Sequence, residues 1–183
     1  MNITVYCGSN FGNDPAVLHA AQSLGARIGQ NGDALVYGGS RVGLMGVVAD
    51  AALSEGAEVT GVQPAYFEEY DVAHHGLTHF ITTKDMAERK RIMYTLGAVY
   101  IALPGGIGTL EELTEILSLS KLDRISGMLI LLNIDDYYDC LTAFFDQMVR
   151  WGFLDERNRA LIHVANDVDT AFALIEEKRN RHI

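Results

Sequence analysis

Residues 98–109 read AVYIALPGGIGT, an uninterrupted apolar run followed by a proline and three closely spaced glycines. The apolar run Ala98–Leu103 predicts a β-strand covered on both faces, as strands of parallel sheets are. The residues that follow the glycines, Leu110–Lys121, have the apolar spacing of a helix. The stretch therefore predicts a strand, a tight turn and a helix, which is the repeating unit of a parallel α/β sheet.

Short apolar runs alternate with longer helical stretches along the rest of the chain, which predicts a doubly wound parallel sheet with helices on both faces. No linker or internal repeat divides the sequence, so residues 1–183 are expected to form one domain. The other predicted strands are Ile3–Cys7, Leu35–Tyr37, Glu58–Val62, His79–Thr82, Met128–Leu132 and Leu161–Val164. The other predicted helices are Ala16–Gln30, Leu44–Glu55, Met86–Leu96, Tyr137–Trp151 and Thr170–Arg179.

The composition argues against several classes of function. A net charge of −10 argues against a nucleic-acid partner, because such binding needs a basic surface. No segment has the apolar length of a membrane span and no secretory leader is visible, so we expect a cytoplasmic protein that does not bind membranes. Cys7 and Cys140 have no metal-ligand spacing, and we predict that both are reduced, small buried hydrophobes.

Three predicted strands end in glycine-rich turns, which begin at Gly8, at Gly38 and at Gly105. Ligands of doubly wound sheets bind beyond the carboxyl ends of the strands. The turn Gly105–Thr109 also opens a helix, whose free N–H groups and dipole favour a phosphate. It matches neither the Walker pattern nor the dinucleotide fingerprint, so a mononucleotide or sugar phosphate is favoured over Mg-ATP or NAD. The alternative is a turn that is merely tight.

Glu112 has two interpretations that the sequence alone leaves open. Thr109 and Glu112 have the spacing of a capping box, in which both side chains would bind free backbone amides of the helix. Apolar residues also lie on two sides of the helix Leu110–Lys121, which predicts burial on both sides. On that interpretation Glu112 faces something other than bulk water.

The charged segment Lys84–Met93 also has two interpretations. It could be a solvated helix face, but Arg89 and Lys90 flank the line from Met86 to Met93 that should be buried. Buried cations are costly unless they are paired. We therefore favour a phosphate or carboxylate ligand for these two cations.

The nearby histidines lack the partners of a familiar metal site and are interpreted as surface or loop residues; they are His74, His75 and His79.

Three motifs in their mutual order resemble the Lonely Guy family of cytokinin riboside 5′-monophosphate phosphoribohydrolases. They are Gly38-Gly39 with Gly43–Gly46, Met86–Met93, and Pro104–Glu112. The resemblance implies a Rossmann-like fold, a homodimer with composite active sites and no cofactor or metal. It also implies hydrolysis of the N-glycosidic bond of a cytokinin or adenosine riboside 5′-monophosphate, which yields the free base and ribose 5-phosphate.

The family's catalytic arginine and glutamate fall on Arg89 and Glu112. Histidine often stands in the family at the position of Ala87, so contacts to base or ribose could differ here. The resemblance implies that the substrate-binding residues are Gly43, Met45, Asp71, Met86, Arg89, Lys90, Gly105, Gly106, Ile107, Gly108, Thr109, Leu110, Glu111, Glu112 and Ser118.

Two other functions compete with hydrolysis. Molybdenum-cofactor carrier proteins resemble the fold and its glycine turns, so the chain could be a non-catalytic nucleotide or molybdenum-cofactor binding protein. A lysine decarboxylase would need pyridoxal phosphate and a Schiff-base lysine. No lysine has a recognisable cofactor setting; the lysines are Lys84, Lys90, Lys121 and Lys178.

Overall fold

A computed structural model describes residues 1–70 and 72–180 of the chain. The strands are β1 (Asn2–Tyr6), β2 (Ala34–Tyr37), β3 (Val59–Pro64), β4 (His79–Thr83), β5 (Val99–Ala102), β6 (Met128–Leu132) and β7 (Ile162–Ala165). The helices are α1 (Pro15–Gln30), α2 (Gly43–Ser54), α3 (Met86–Leu96), α4 (Ile107–Lys121), α5 (Asp139–Arg150), α6 (Glu156–Arg159) and α7 (Val168–Asn180). Short 3₁₀ turns cover Ala65–Tyr70 and Ile134–Asp136.

The seven strands form one parallel sheet in the order β4-β3-β2-β1-β5-β6-β7. The first four strands extend the sheet in one direction from β1, and the last three extend it in the other. The order therefore reverses between β1 and β5, which is where ligands of such sheets bind. The predicted doubly wound sheet is confirmed, and its switch point lies beside the turn after β5.

The hydrophobic core has two layers, one on each face of the sheet. Residues of α1, α2 and α7 pack on one face, where Leu24 and Phe172 are fully buried. Residues of α3, α4 and α5 pack on the other, around Met93 and Leu113. Because both faces are covered, β5 is buried at every position, which explains its unbroken apolar sequence.

Several predicted details were wrong. Helix α4 begins at Ile107 rather than at Leu110, so three residues of the turn, Ile107, Gly108 and Thr109, are already helical. The predicted helix Tyr137–Trp151 begins only at Asp139. Cys140 is exposed, whereas Cys7 is buried as predicted, and both are free. Within residues 1–70 and 72–180, no helix is long and apolar enough to cross a membrane.

The hydroxyl of Tyr37 is buried at the end of β2 without a hydrogen-bond partner among the described residues. Burial raises the pKa of this phenol. A buried unpaired hydroxyl is unfavourable, so Tyr37→Phe should raise the free energy of unfolding by about 1 kcal/mol in urea denaturation. The matched control is Tyr100→Phe, because the Tyr100 hydroxyl donates to the carbonyls of Tyr94 and Gly97 and its loss should be destabilising. Equal destabilisation by both changes would contradict the prediction.

Candidate active site

A cavity of about 600 Å³ opens at the carboxyl edge of the sheet, at the switch point. Its lining includes the end of β1, Gly38 directly after β2, and the beginning of α4. Residues from the segment after β3 form the opposite wall, including Phe67 and Tyr70. The cavity therefore lies where the order of the strands predicts a ligand.

The first turn of α4 offers unpaired backbone donors to this cavity. Gly106 is the N-cap residue and supplies no capping side chain, and no acidic side chain occupies the first turn. The first amides of a helix have no partner within the helix, here those of Ile107, Gly108 and Thr109. A Cβ at Gly106 or Gly108 would meet no atom within 4 Å, so the space beside these two glycines is open. This is the geometry of an anion site.

Tyrosine hydroxyls hold the turn before α4 in place. Tyr138 donates to the carbonyl of Leu103 at 2.7 Å, and Tyr137 donates to the carbonyl of Gly105 at 2.6 Å. A side chain at Gly105 would overlap the Thr109 hydroxyl and would lie 2.9 Å from the amide nitrogen of Gly8. Gly105 therefore lets the turns after β1 and β5 approach each other, which fixes the position of the donors.

Arg89 and Glu112 form a buried ion pair against the cavity. Arg89 Nη1 donates to Glu112 Oε1 at 3.0 Å, and Arg89 Nε donates to the carbonyl of Val62 at 3.0 Å. The two residues are only 9% and 8% exposed. The capping-box interpretation of Glu112 was wrong, because Gly106 is the N-cap and the Glu112 carboxylate meets Arg89 instead.

Burial controls the electrostatics of this pair. Loss of water raises the pKa of the Glu112 carboxyl, and the charge and hydrogen bond of Arg89 oppose the shift without cancelling it. Burial and the Glu112 charge also raise the pKa of the neighbouring Tyr6 phenol and Cys7 thiol. Arg89 therefore stabilises a carboxylate that its surroundings would otherwise favour in the protonated form. A carboxyl with a raised pKa in a cleft is a candidate for proton transfer.

Lys90 is paired by two carboxylates of α4. Its ammonium lies 2.6 Å from Glu111 Oε1 and 3.2 Å from Glu115 Oε2. Desolvation lowers the pKa of Lys90, but the hydrogen bonds and charges of the two glutamates outweigh it and raise the pKa. The lysine is thus held as a cation that ties α3 to α4.

Most of the predicted substrate-binding residues come together at the cavity. Those that line it are Met45, Met86, Arg89, Gly106, Ile107, Gly108, Thr109, Glu111 and Glu112. Those outside its lining are Gly43, Lys90, Gly105, Leu110 and Ser118, of which Leu110 and Ser118 are exposed. Asp71 lies outside the described residues.

Gly43 lies outside the cavity lining and allows close packing next to the site. Its φ is +63°, which favours glycine, and a side chain there would overlap the carbonyl oxygen of Ser9. Gly43 thus brings the start of α2 against the turn after β1.

The histidines serve no metal cluster in the part of the chain that the structure describes. His74 Nε2 lies instead 2.9 Å from Asp50 Oδ1.

Sequence reasoning missed several lining residues, among them Gln63, Phe67, Tyr70, Val72 and Met93. Gln63 is the penultimate residue of β3, at the carboxyl edge of the sheet. A polar residue at the carboxyl end of a parallel strand is a signal that could have found it. The aromatic residues lie in an aperiodic 3₁₀ segment that gives no comparable signal.

The parallel sheet, its switch point and the cavity there place the protein in the class of Rossmann-like α/β proteins. The profile of a family described as possible lysine decarboxylase matches residues 45–175. The cytokinin riboside 5′-monophosphate phosphoribohydrolase of Rhodococcoides fascians is 40% identical over 175 residues, which cover 95% of this chain and 88% of that protein. LOG2 of Arabidopsis thaliana, which bears the same name, is 36% identical over 180 residues, covering 98% and 84%. The chain therefore belongs to the family of cytokinin riboside 5′-monophosphate phosphoribohydrolases that its three motifs resemble.

Solved structures support the fold. The Moco carrier protein of Chlamydomonas reinhardtii superposes with a TM-score of 0.76 at 23% identity, over 98% of both chains. The molybdenum cofactor binding protein of Rippkaea orientalis gives a TM-score of 0.75 at 22% identity, over 96% of this chain and 95% of that one. At such identities the similarity concerns the fold alone.

Proposed function

We propose that this protein hydrolyses the N-glycosidic bond of a cytokinin or adenosine riboside 5′-monophosphate, releasing the free base and ribose 5-phosphate. The observation that carries the proposal is the buried Arg89–Glu112 pair, one helical turn beyond the open amides of α4. The phosphoribohydrolase name of relatives at 36–40% identity supports it.

The phosphate is assigned to the amides of Gly106, Gly108 and Thr109. They carry the partial positive charge of the helix N-terminus, and no acidic side chain of the first turn competes with the ligand. Glu112 follows Gly108 by four residues, a rise of about 6 Å along the helix. A ribose spans such a distance, so a phosphate on this turn directs the sugar towards the Glu112 carboxylate.

The chemistry assigned to Glu112 follows from the charge that develops on the sugar. As the bond from C1′ to the base nitrogen breaks, its electron pair leaves with the base and C1′ gains positive charge. The Glu112 carboxylate stabilises this charge, or accepts a proton from the water whose oxygen adds to C1′; the departing base nitrogen takes up the proton that the water releases. Arg89 orients the carboxylate with a charge-assisted hydrogen bond.

A panel of nucleoside monophosphates tests this function. Purified protein is incubated with AMP and with isopentenyl-AMP, and the free base is quantified by chromatography to give kcat/KM for each. Release of base from either nucleotide supports the proposal. The ratio of the two kcat/KM values identifies the preferred base. Retention of both nucleotides without base release would favour a carrier instead.

Lysine decarboxylation is disfavoured by the setting of Lys90, the lysine nearest the buried pair in sequence. A Schiff-base lysine needs a lowered pKa, so that its amine is free to attack. The two ion pairs of Lys90 raise its pKa instead.

We also propose a cytoplasmic homodimer whose composite sites include three of the predicted residues that lie outside the cavity lining, Lys90, Leu110 and Ser118. Large apolar side chains support a partner surface, because Trp151 and Phe153 are 69% and 76% exposed. Light scattering coupled to size-exclusion chromatography tests the assembly. A mass of two chains is expected, and a monomer with full activity would contradict the composite site.

Gly38 is required beside Arg89. A Cβ at this position would overlap the guanidinium and would lie 2.8 Å from the Met45 sulfur. Gly38→Ala should therefore displace Arg89 from Glu112 and lower kcat about tenfold or more, since small displacements at a reacting centre are costly. The measurement is AMP turnover beside a thermal unfolding curve. Unchanged kcat in a folded variant would contradict the role assigned to Arg89.

A further inference from the structure

Gln63 is a buried polar residue that the mechanism above does not use. It follows Val62, whose carbonyl accepts the hydrogen bond from Arg89 Nε. Only 4% of Gln63 is exposed, and it lines the cavity. Within residues 1–70 and 72–180 the fully buried side-chain polar atoms without a partner are the Tyr37 and Ser120 hydroxyls, so the Gln63 carboxamide is not sealed in the core but opens to the cavity that it lines. A carboxamide that opens to a cavity offers one hydrogen-bond donor group and one acceptor to a ligand there, so its place in the lining favours a polar ligand.

The sheet places Gln63 at the far end of the cavity from the phosphate turn. Strand β3 is the third strand from β5, and neighbouring strands are about 4.8 Å apart, which gives a separation of about 14 Å. Gln63 lies beside the turn after β2, because a Cβ at Gly39 would be 3.3 Å from the Cβ of Gln63. A nucleotide with its phosphate on α4 and its sugar at Glu112 extends its base towards β3.

The surroundings of Gln63 suit a planar heterocycle. Phe67 and Tyr70 line the same cavity, with ring centroids 6.1 Å apart, and Met45 also contributes to the wall. Aromatic and thioether side chains stack on purine faces without specifying the base. A carboxamide adds one donor and one acceptor, and this pair matches the N6–H and N7 edge of adenine.

We propose that Gln63 is the residue that reads the base, selecting purines that carry both an N7 acceptor and an N–H donor on N6. This inference rests on the proposed function. An adenine with one N6 substituent keeps one N–H, so the same contact serves both candidate substrates. Purine without the exocyclic amine lacks the donor and leaves the Gln63 oxygen unpaired, which costs binding.

The test compares AMP with purine riboside 5′-monophosphate in wild-type protein and in Gln63→Met, which keeps the side-chain length and removes both polar atoms. Wild-type protein should favour AMP by about tenfold or more in kcat/KM. Gln63→Met should lose most of that preference by lowering kcat/KM for AMP alone. Gln22→Met, an exposed change on α1 far from the cavity, is the control and should keep the preference.

Either of two results would overturn the proposal. The first is a wild-type protein that does not distinguish the two nucleotides, which needs no variant to fold. The second is a Gln63→Met variant that loses both activities equally, as a structural or sugar contact would. If neither of these nucleotides nor isopentenyl-AMP is hydrolysed, the proposed function fails; the ratio of the Kd values for AMP and purine riboside 5′-monophosphate, measured by calorimetry, then tests Gln63 separately.

Discussion

Replacing Glu112 with glutamine should abolish base release while AMP still binds. The amide keeps the size of the side chain and can still accept a hydrogen bond from Arg89, but it carries no charge and accepts no proton. A preorganised group facing developing charge contributes about 10²–10³-fold to kcat, so a loss of at least that size is expected. Turnover is followed by chromatography, and the Kd for AMP by calorimetry.

The control for this change is Glu176→Gln, because Glu176 is exposed on α7 and does not line the cavity. It should leave both turnover and affinity unchanged. A Glu112→Gln variant with normal turnover would remove Glu112 from the mechanism. A variant with no affinity for AMP would make it a binding residue instead.

Replacing Arg89 with lysine should have the next largest effect. One guanidinium contacts both the Val62 carbonyl and the Glu112 carboxylate at 3.0 Å, and a lysine ammonium cannot reproduce that fork. A carboxylate held in the wrong place by about 1 Å costs about 100-fold in rate. Arg91→Lys is the matched control, because the Arg91 side chain is 62% exposed and pairs with Glu88 on the surface. Equal effects of the two changes would contradict the role of Arg89.

The same variant should change the pH dependence. The pKa of Glu112 is already raised by burial, with Arg89 opposing the rise. Weakening that opposition raises the pKa further, so the acid limb of kcat/KM should move to higher pH in Arg89→Lys. An acid limb that moves to lower pH would contradict the assignment of the limb to Glu112.

The raised pKa of Glu112 also determines whether the free energy of unfolding rises or falls with pH. Between the unfolded and the folded pKa of Glu112 the native state binds more protons, so the free energy of unfolding should fall as pH rises through that window. Urea denaturation across the window measures this fall, and Glu112→Gln should lack it.

Much of the fold could be predicted because parallel strands covered on both faces have nearly continuous apolar sequences. The run before Pro104 is the plainest case, since β5 is buried at every residue. The residue at which α4 begins could not be predicted from the apolar pattern in the same way. Gly106 and Gly108 have poor helix propensity, yet the helix begins at Ile107 because tertiary contacts hold the turn, including Tyr137 on Gly105.

The site was predictable where charge conflicted with burial. Arg89 lies next to an apolar stripe, and its partner Glu112 lies on a helix that is buried on two sides, so each residue pointed to an interaction. Their mutual contact could not be deduced from the sequence, because it depends on how α3 and α4 pack on the sheet. The 3₁₀ segment that carries Phe67 and Tyr70 has no periodicity, and its place on the cavity became visible only in three dimensions.

The central claim is that the turn holding the phosphate is coupled to cleavage of the bond between base and sugar. It is tested most directly by incubating the wild-type protein with AMP in phosphate-free buffer and quantifying adenine and ribose 5-phosphate together. Hydrolysis predicts that both products appear in equal amounts and that Glu112→Gln forms neither. AMP and isopentenyl-AMP that are both bound tightly and both recovered intact from the wild-type protein would contradict it.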